Sequence, residues 1–78
     1  MGKYFPLGQF LQQSQNVMET LTYNQIVSII GDQLPPSASE YREWWANDVT
    51  HTQAKEWLNV GWKVENCILG QQITFGNL

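Results

Sequence analysis

The side chains best suited to contacting a ligand lie in the second half of the chain. They combine adjacent indole rings, short polar groups and positive charge, in Arg42, Trp44, Trp45, Asn47, His51, Thr52, Lys55 and Lys63. Indole rings stack on bases and cations, while amide, guanidinium and ammonium groups bond to bases, phosphates or carboxylates. This chemistry is recognition, so we expect a binding module and not an enzyme.

The Trp44–Trp45 pair has two interpretations. Adjacent residues on a helix point about 100° apart, so the two rings are not expected to share one core pocket. We therefore predict one ring in the core and one near the surface, with Tyr41 extending the same surface. The alternative, which is the commoner arrangement, is that a small domain buries both rings or covers them with a loop.

Asn47, Asp48 and His51 lie just before or within the first turn of a helix predicted to begin near Thr50. Polar groups at a helix N-terminus can present backbone N–H groups to an anion. The favoured alternative is that Asn47 and Asp48 make only turn and cap hydrogen bonds. His51 has no nucleophile paired with it in sequence, which indicates a surface or structural histidine.

Catalytic and cofactor motifs are not recognisable. The sequence has no phosphate-cradling glycine loop, nucleophile elbow or zinc motif. Cys67 falls in a predicted strand beside Ile68 and Leu69, as a small hydrophobic residue would. We expect no cofactor, no metal and no small-molecule substrate.

Composition limits the class of partner. The chain has 78 residues, which suits one domain, and a net charge of −3 from four basic and seven acidic residues. So few cations argue against a partner held mainly by phosphate neutralisation. A single cysteine, with no signal peptide or membrane span, predicts a cytoplasmic protein that does not bind a membrane.

The first half of the chain reads as helix, short strand, helix. Pro6 suits the first turn of a helix that carries Leu7, Phe10 and Leu11 on one face. Residues 17–21 predict a short strand. A capping box from Thr22 to Gln25 begins the next helix and Gly31 ends it.

The second half predicts two further helices and a hairpin. Capping boxes at 37–40 and 50–53 begin a short helix running to Trp45 and a helix that Gly61 closes. Residues 62–69 and 72–75 then form strands around Gly70-Gln71, with the glycine at the first central position of a primed turn.

This element order predicts an α+β fold: a small winged-helix-like domain of three to four helices with a C-terminal β-hairpin and one short extra strand. Residues 34–51 would be an insertion before the third main helix. If that helix reads nucleic acid, its exposed polar residues are the candidates: Thr52, Gln53, Lys55, Glu56 and Asn59.

A spaced pattern along nearly the whole chain carries a family resemblance. Its parts are Leu34-Pro35, Ser37-Ala38, Trp44-Trp45, Asn47, His51, Gln53-Ala54, Trp57-Leu58, Gly61-Trp62 and Val64. The sequence resembles short prokaryotic proteins that share a domain of unknown function. The resemblance implies one domain and no established activity. Such proteins often carry a basic residue after the last Phe, where this chain has Gly76.

Two classes of function follow. The first is a winged-helix-like domain that binds DNA or regulates through the helix at 50–59 and the hairpin. The second is a module that binds another protein, or itself, through the Tyr41–Trp45 surface, because interface cores are rich in Trp and Tyr. The two are close to parity, and the element order gives nucleic acid a slight preference.

Overall fold

A computed structural model describes residues 2–78. In chain order the elements are α1 (Phe5–Gln13), β1 (Met18–Thr22), α2 (Tyr23–Ile30), α3 (Ser37–Glu40), a 3-10 helix (Arg42–Trp45), α4 (Thr52–Leu58), β2 (Lys63–Ile68) and β3 (Gln72–Gly76). The strands form one antiparallel sheet in the order β1-β3-β2. The predicted α+β class is confirmed, including the extra strand that β1 adds to the hairpin.

Short-range signals set both ends of α2. The Thr22 hydroxyl accepts a hydrogen bond from the Gln25 backbone N–H at 3.1 Å, and the Gln25 side chain accepts one from the Thr22 N–H at 2.8 Å. Gly31 ends the helix with φ of 71°, a left-handed conformation that glycine adopts without a Cβ clash. The predicted helix from Tyr23 to Ile30 is therefore confirmed.

Gly61 closes α4 as predicted. The Gly61 N–H bonds to the Leu58 carbonyl at 3.1 Å, and the Trp62 N–H reaches back to the Trp57 carbonyl at 2.9 Å. This paired pattern is the Schellman motif, which requires a left-handed residue, and Gly61 has φ of 84°. The chain then turns directly into β2.

The other two predicted capping boxes are wrong. Pro36 is itself in helical conformation, so α3 starts without a side-chain cap, and extended Tyr41 separates it from the 3-10 helix. The cap of α4 is His51 and not Thr50, because Asp48 Oδ1 takes both the N–H and the hydroxyl of Thr50.

The hairpin turn also differs in detail from the prediction. The Gln71 N–H bonds to the Ile68 carbonyl at 2.9 Å, which makes Leu69 and Gly70 the central residues. Gly70, with φ of 79°, is the second central residue and not the first. Positive φ at that place alone is typical of a type II turn.

One hydrophobic core joins the helices to the inner face of the sheet. Its buried members are Leu7, Leu11, Leu21, Ile26, Ile30, Ala38, Trp45, Ala54, Trp57, Trp62, Ile73 and Phe75. At Gly8 the backbones of α1 and α4 come so close that a Cβ would lie 2.5 Å from the Glu56 carbonyl oxygen. The segment between α2 and α4 supplies Ala38 and Trp45, so it is part of the core.

Candidate functional site

Trp45 lies in the core with only 2% of its surface exposed. Its indole N–H is 2.9 Å from both the Ala38 carbonyl oxygen and the Tyr23 hydroxyl oxygen, and the Tyr23 hydroxyl donates to the same carbonyl at 2.5 Å. The Trp45 ring stacks on Trp57 at 6.1 Å between centroids. Trp45 is therefore an anchor for the segment that carries it and is closed to a partner.

Trp44 is half-buried and reaches the surface. Its ring meets Trp45 edge-on at 4.6 Å and Tyr4 at 5.5 Å between centroids. The two tryptophans thus divide as predicted, one in the core and one near the surface. Its two aromatic neighbours hold the Trp44 ring in a fixed orientation.

A surface depression of about 370 Å³ lies beside this ring, and we call it the Trp44 groove. Its lining residues are Ser37, Tyr41, Glu43, Trp44, His51 and Gln53. Tyr41 is 56% exposed, and Glu43 is exposed as well. The groove therefore offers aromatic surface and a carboxylate at one place.

Gln53 lines the buried side of the groove. Its side chain is buried and its amide nitrogen donates to the Trp44 carbonyl at 2.9 Å. Because α4 carries Gln53, this bond ties the 3-10 helix to α4. Gln53 was a candidate base-reading residue, and that prediction is wrong because the side chain faces inward.

His51 and Asp48 stand together at the start of α4. Nε2 of His51 is 3.8 Å from Oδ2 of Asp48, while Nδ1 is shielded from solvent with no hydrogen-bond partner among residues 2–78. The hydroxyl and the backbone N–H of Thr50 bond to the Asp48 carboxyl and hold its pKa below the ordinary value. Asp48 therefore makes turn hydrogen bonds, the favoured alternative in the sequence analysis.

Asn47 and Arg42 lie along the outer edge of β2. Asn47 accepts from the Val64 N–H at 2.8 Å and donates to the Val64 carbonyl at 3.0 Å, while its oxygen also accepts from Trp57 Nε1 at 3.0 Å. Arg42 donates to the Cys67 carbonyl at 2.6 Å. Both predicted binding residues are thus engaged in holding the segment against the sheet.

The remaining predicted site residues lie on α4 and at the start of β2. Thr52 and Lys55 are exposed, and Lys55 has no ion-pair partner in the part of the chain described. Lys63 is exposed, with Nζ 3.6 Å from Glu65 Oε1. Only Lys55 among these cations is therefore free of a protein partner.

The structure thus gathers Trp44 and His51 at one groove and disperses the other predicted residues. Sequence reasoning missed Ser37 and Gln53 as groove residues. The sequence pattern predicts Ser37 as a helix cap and Gln53 on an exposed helix face, and no short-range signal indicates that both line one groove with Trp44.

Cys67 is half-buried, and burial raises the pKa of its thiol while the nearby Arg42 guanidinium opposes that rise. No three His, Cys, Asp or Glu residues within 2–78 cluster closely enough to hold a metal ion. None of the helices described is long and apolar enough to cross a membrane.

Together these observations define a small α+β domain with an aromatic-lined groove at its surface. Residues 4–77 match the family described as Domain of unknown function (DUF7662), and the chain belongs to this family. The resemblance seen in the sequence is thereby confirmed. Neither the curated proteins nor the solved structures contain a significant match to the chain.

Proposed function

We propose that this chain is a small non-enzymatic binding module that recognises a protein partner through the Trp44 groove. The observation that carries the proposal is the placement of Trp44, partly exposed and fixed between Tyr4 and Trp45 at the wall of a depression. Rigid, partly exposed aromatic rings beside a pocket are typical of interaction hot spots. A partner that is a second copy of this chain falls within the same proposal.

The groove favours a cationic side chain of the partner. Tyr41 and Trp44 supply ring faces, and the exposed Glu43 carboxylate lies beside them. An arginine or lysine side chain placed there would gain cation–π and charge-assisted contacts together. The net charge of −3 acts in the same direction, since it attracts positively charged partners.

Capped tripeptides with a central Arg, Lys or Glu test this proposal directly. The Trp44 indole N–H resonance should shift with the Arg and Lys peptides and not with the Glu peptide, because Glu43 repels a second carboxylate. Trp44→Ala should abolish the response recorded at the neighbouring groove amides. Val49→Ala is the matched control, since Val49 is exposed and does not line the groove.

Two results would overturn the protein-binding proposal. One is an equal response to all three peptides. The other is a purified chain that stays monomeric at every concentration and shows no Trp44 response to any peptide.

A second candidate is binding of duplex DNA through a winged-helix-like surface. It is favoured by the element order, with α4 placed directly before the β2–β3 hairpin and β1 completing the sheet. In this arrangement α4 would present Thr52 and Lys55 to the DNA, with Lys63 at the base of the hairpin. Arg42, Lys63 and His51 each have a partner within the protein, which weakens this candidate.

Fluorescence anisotropy with a labelled duplex separates the two candidates. DNA binding should weaken steeply as salt rises, because each phosphate contact releases counterions. Lys55→Ala combined with Lys63→Ala should reduce the affinity further, while Lys3→Ala serves as a control at a cation outside α4 and the hairpin, paired with Asp32. Absence of binding at low salt would eliminate the DNA candidate and leave the groove proposal intact.

A cytoplasmic location completes the proposal. It rests on Cys67, a single thiol that is free in the structure, since such thiols persist in reducing compartments.

A further inference from the structure

The two outer strands of the sheet, β1 and β2, differ in whether side chains bond to their outward-facing backbone groups. Along β2, the Asn47 side chain forms hydrogen bonds with both the N–H and the carbonyl of Val64, and Arg42 donates a hydrogen bond to the Cys67 carbonyl. A register shift between Val64 and Asn66 also bends this edge. Side-chain cover and bulges are the devices by which proteins keep an edge strand from pairing with another chain.

The edge formed by β1 has no such cover. The Val17 carbonyl bonds to the Asn77 N–H and the Tyr23 N–H bonds to the Gln71 carbonyl, both towards β3. In an antiparallel pair, successive residues point their backbone N–H and C=O groups alternately towards and away from the neighbouring strand. Since Val17 and Tyr23 bond towards β3, the backbone groups of Met18 and Thr20 point away from it. Within residues 2–78 these groups have no hydrogen-bond partner.

Nothing in the sequence of β1 prevents pairing. The strand Met18–Thr22 contains no proline and no lysine, and its register with β3 is unbroken. Val17 and Met18 leave 55% and 39% of their surfaces exposed at its start. An outer edge with an unbroken register, no proline or lysine and an apolar start favours the addition of another strand.

Two hollows that share Phe10 lie beside this strand, on the side facing the core. One has a volume of about 380 Å³ and includes Leu21 and Ile29. The other, about 260 Å³, includes Glu19. Glu19 and Leu21 are separated by one residue of β1, so side chains of an added strand would meet an acidic hollow and an apolar hollow in turn.

The acidic hollow has no cation of its own. The Glu19 carboxylate accepts hydrogen bonds from the Ser14 hydroxyl and from the Asn16 side chain, both neutral donors. No lysine, arginine or histidine within residues 2–78 lies within ion-pair distance of Glu19. A basic side chain is therefore the complement that this hollow lacks.

We propose that β1 is a docking edge for an extended peptide of a partner, in which a basic and an apolar residue are separated by one residue. The peptide pairs with the backbone groups of Met18 and Thr20, its basic side chain meets Glu19, and its apolar side chain covers Leu21 and Phe10. This is a second surface, independent of the Trp44 groove.

A second copy of this chain fits the edge less well. If two β1 strands pair symmetrically with Met18 opposite Thr20, each Glu19 stands opposite the other and the charges repel. If Thr20 stands opposite Thr20, Met18 faces Thr22, whose N–H is already bonded to Gln25. A separate peptide that carries a basic residue opposite Glu19 and pairs only with Met18 and Thr20 avoids both penalties.

The test uses the unaltered protein and capped peptides. Thr-Lys-Thr-Val-Thr and its reverse, Thr-Val-Thr-Lys-Thr, cover both strand directions. With the bound direction, amide hydrogen exchange at Met18 and Thr20 should slow by about tenfold or more, since these groups become paired. The amides of Glu19 and Leu21, already paired with β3, serve as internal references.

Modified peptides separate strand pairing from general adhesion. Methylation of the peptide amides that face β1 should abolish binding, and methylation of those that face away should not. Replacing Lys by Glu in the peptide should weaken binding. Glu19→Gln, which keeps an acceptor for Ser14 and Asn16, should remove that discrimination between Lys and Glu peptides.

Three outcomes would overturn the proposal. The first is unchanged exchange at Met18 and Thr20 at saturating peptide. The second is equal binding of peptides methylated on either side. The third is protection that rises with protein concentration alone, which would assign the edge to a second copy.

Discussion

The side-chain oxygen of Asn47 accepts a hydrogen bond from the indole N–H of Trp57 at 3.0 Å. Trp57 is fully buried, so this bond satisfies a donor that water cannot reach. The same Asn47 amide bonds to both backbone groups of Val64 in β2. One side chain therefore fastens the segment after the 3-10 helix to α4 and to the sheet.

Asn47→Ala should destabilise the fold by about 2–4 kcal/mol, because it removes these bonds and leaves the buried Trp57 N–H without an acceptor. Urea unfolding measures the change. Asn47→Asp is the control: it keeps the acceptor for Trp57 but loses the donor to Val64, and its loss should be smaller. An alanine variant as stable as the parent chain would contradict the role given to Asn47.

The two adjacent tryptophans should respond differently to the same substitution. Trp45→Phe should cost about 2–4 kcal/mol, since it leaves a cavity and removes the donor to Ala38 and Tyr23. Trp44→Phe should cost about 1 kcal/mol or less because that ring is partly exposed. Urea midpoints compare the pair. Equal losses would show that Trp44 is as deeply packed as Trp45.

Gly8→Ala should destabilise the protein by about 1–3 kcal/mol although alanine favours helices, because the new Cβ would press on the Glu56 carbonyl and separate α1 from α4. Gly2→Ala is the matched control, since a Cβ at Gly2 meets nothing within 4 Å. Thermal unfolding of the two variants provides the measurement. A stabilised Gly8→Ala variant would refute the close approach of these helices.

The Asp48 carboxyl should contribute to acid sensitivity. Its folded-state pKa is lowered, so its charged form stabilises the fold above the ordinary carboxyl pKa of 3.8 that applies to the unfolded chain. That contribution is lost as the pH falls through the lower folded-state pKa. Asp48→Asn keeps the acceptor for Thr50 and should flatten the fall of the urea midpoint below about pH 4.

Glu40→Gln is the control for the acid experiment, because Glu40 is exposed and makes no hydrogen bond through its side chain within residues 2–78. Its urea midpoint should follow the parent chain at every pH. If Asp48→Asn also follows the parent chain throughout, the Thr50 hydrogen bonds do not act on the charged carboxylate.

The features that the sequence predicts correctly depend only on interactions between residues a few positions apart in the chain. The Thr22–Gln25 capping box and the glycines that end α2 and α4 act within one or two turns, so their residue types suffice. The failed capping boxes at Ser37 and Thr50 have the same residue pattern. At Ser37 the preceding Pro36 is already helical, so α3 begins before Ser37 can act as its cap. At Thr50 the hydroxyl donates to Asp48 and is not available to cap α4.

The candidate site was predictable only in part for a related reason. The division of Trp44 and Trp45 follows from helical geometry and needs no knowledge of the sheet. The roles of Asn47 and Arg42 depend on β2 being an edge strand, which is a property of the sheet order β1-β3-β2. Sequence patterns at Asn47 and Val64, 17 residues apart, do not encode that order.

The near-parallel stack of Trp45 on Trp57, with 20° between ring planes, has an optical consequence. Two indole transitions held so close and so fixed should couple as an exciton pair and produce a couplet in the circular dichroism spectrum. The couplet needs the 3-10 helix seated on α4, so it reports that docking without any label. Its decay during unfolding would time the release of this segment against the loss of helix.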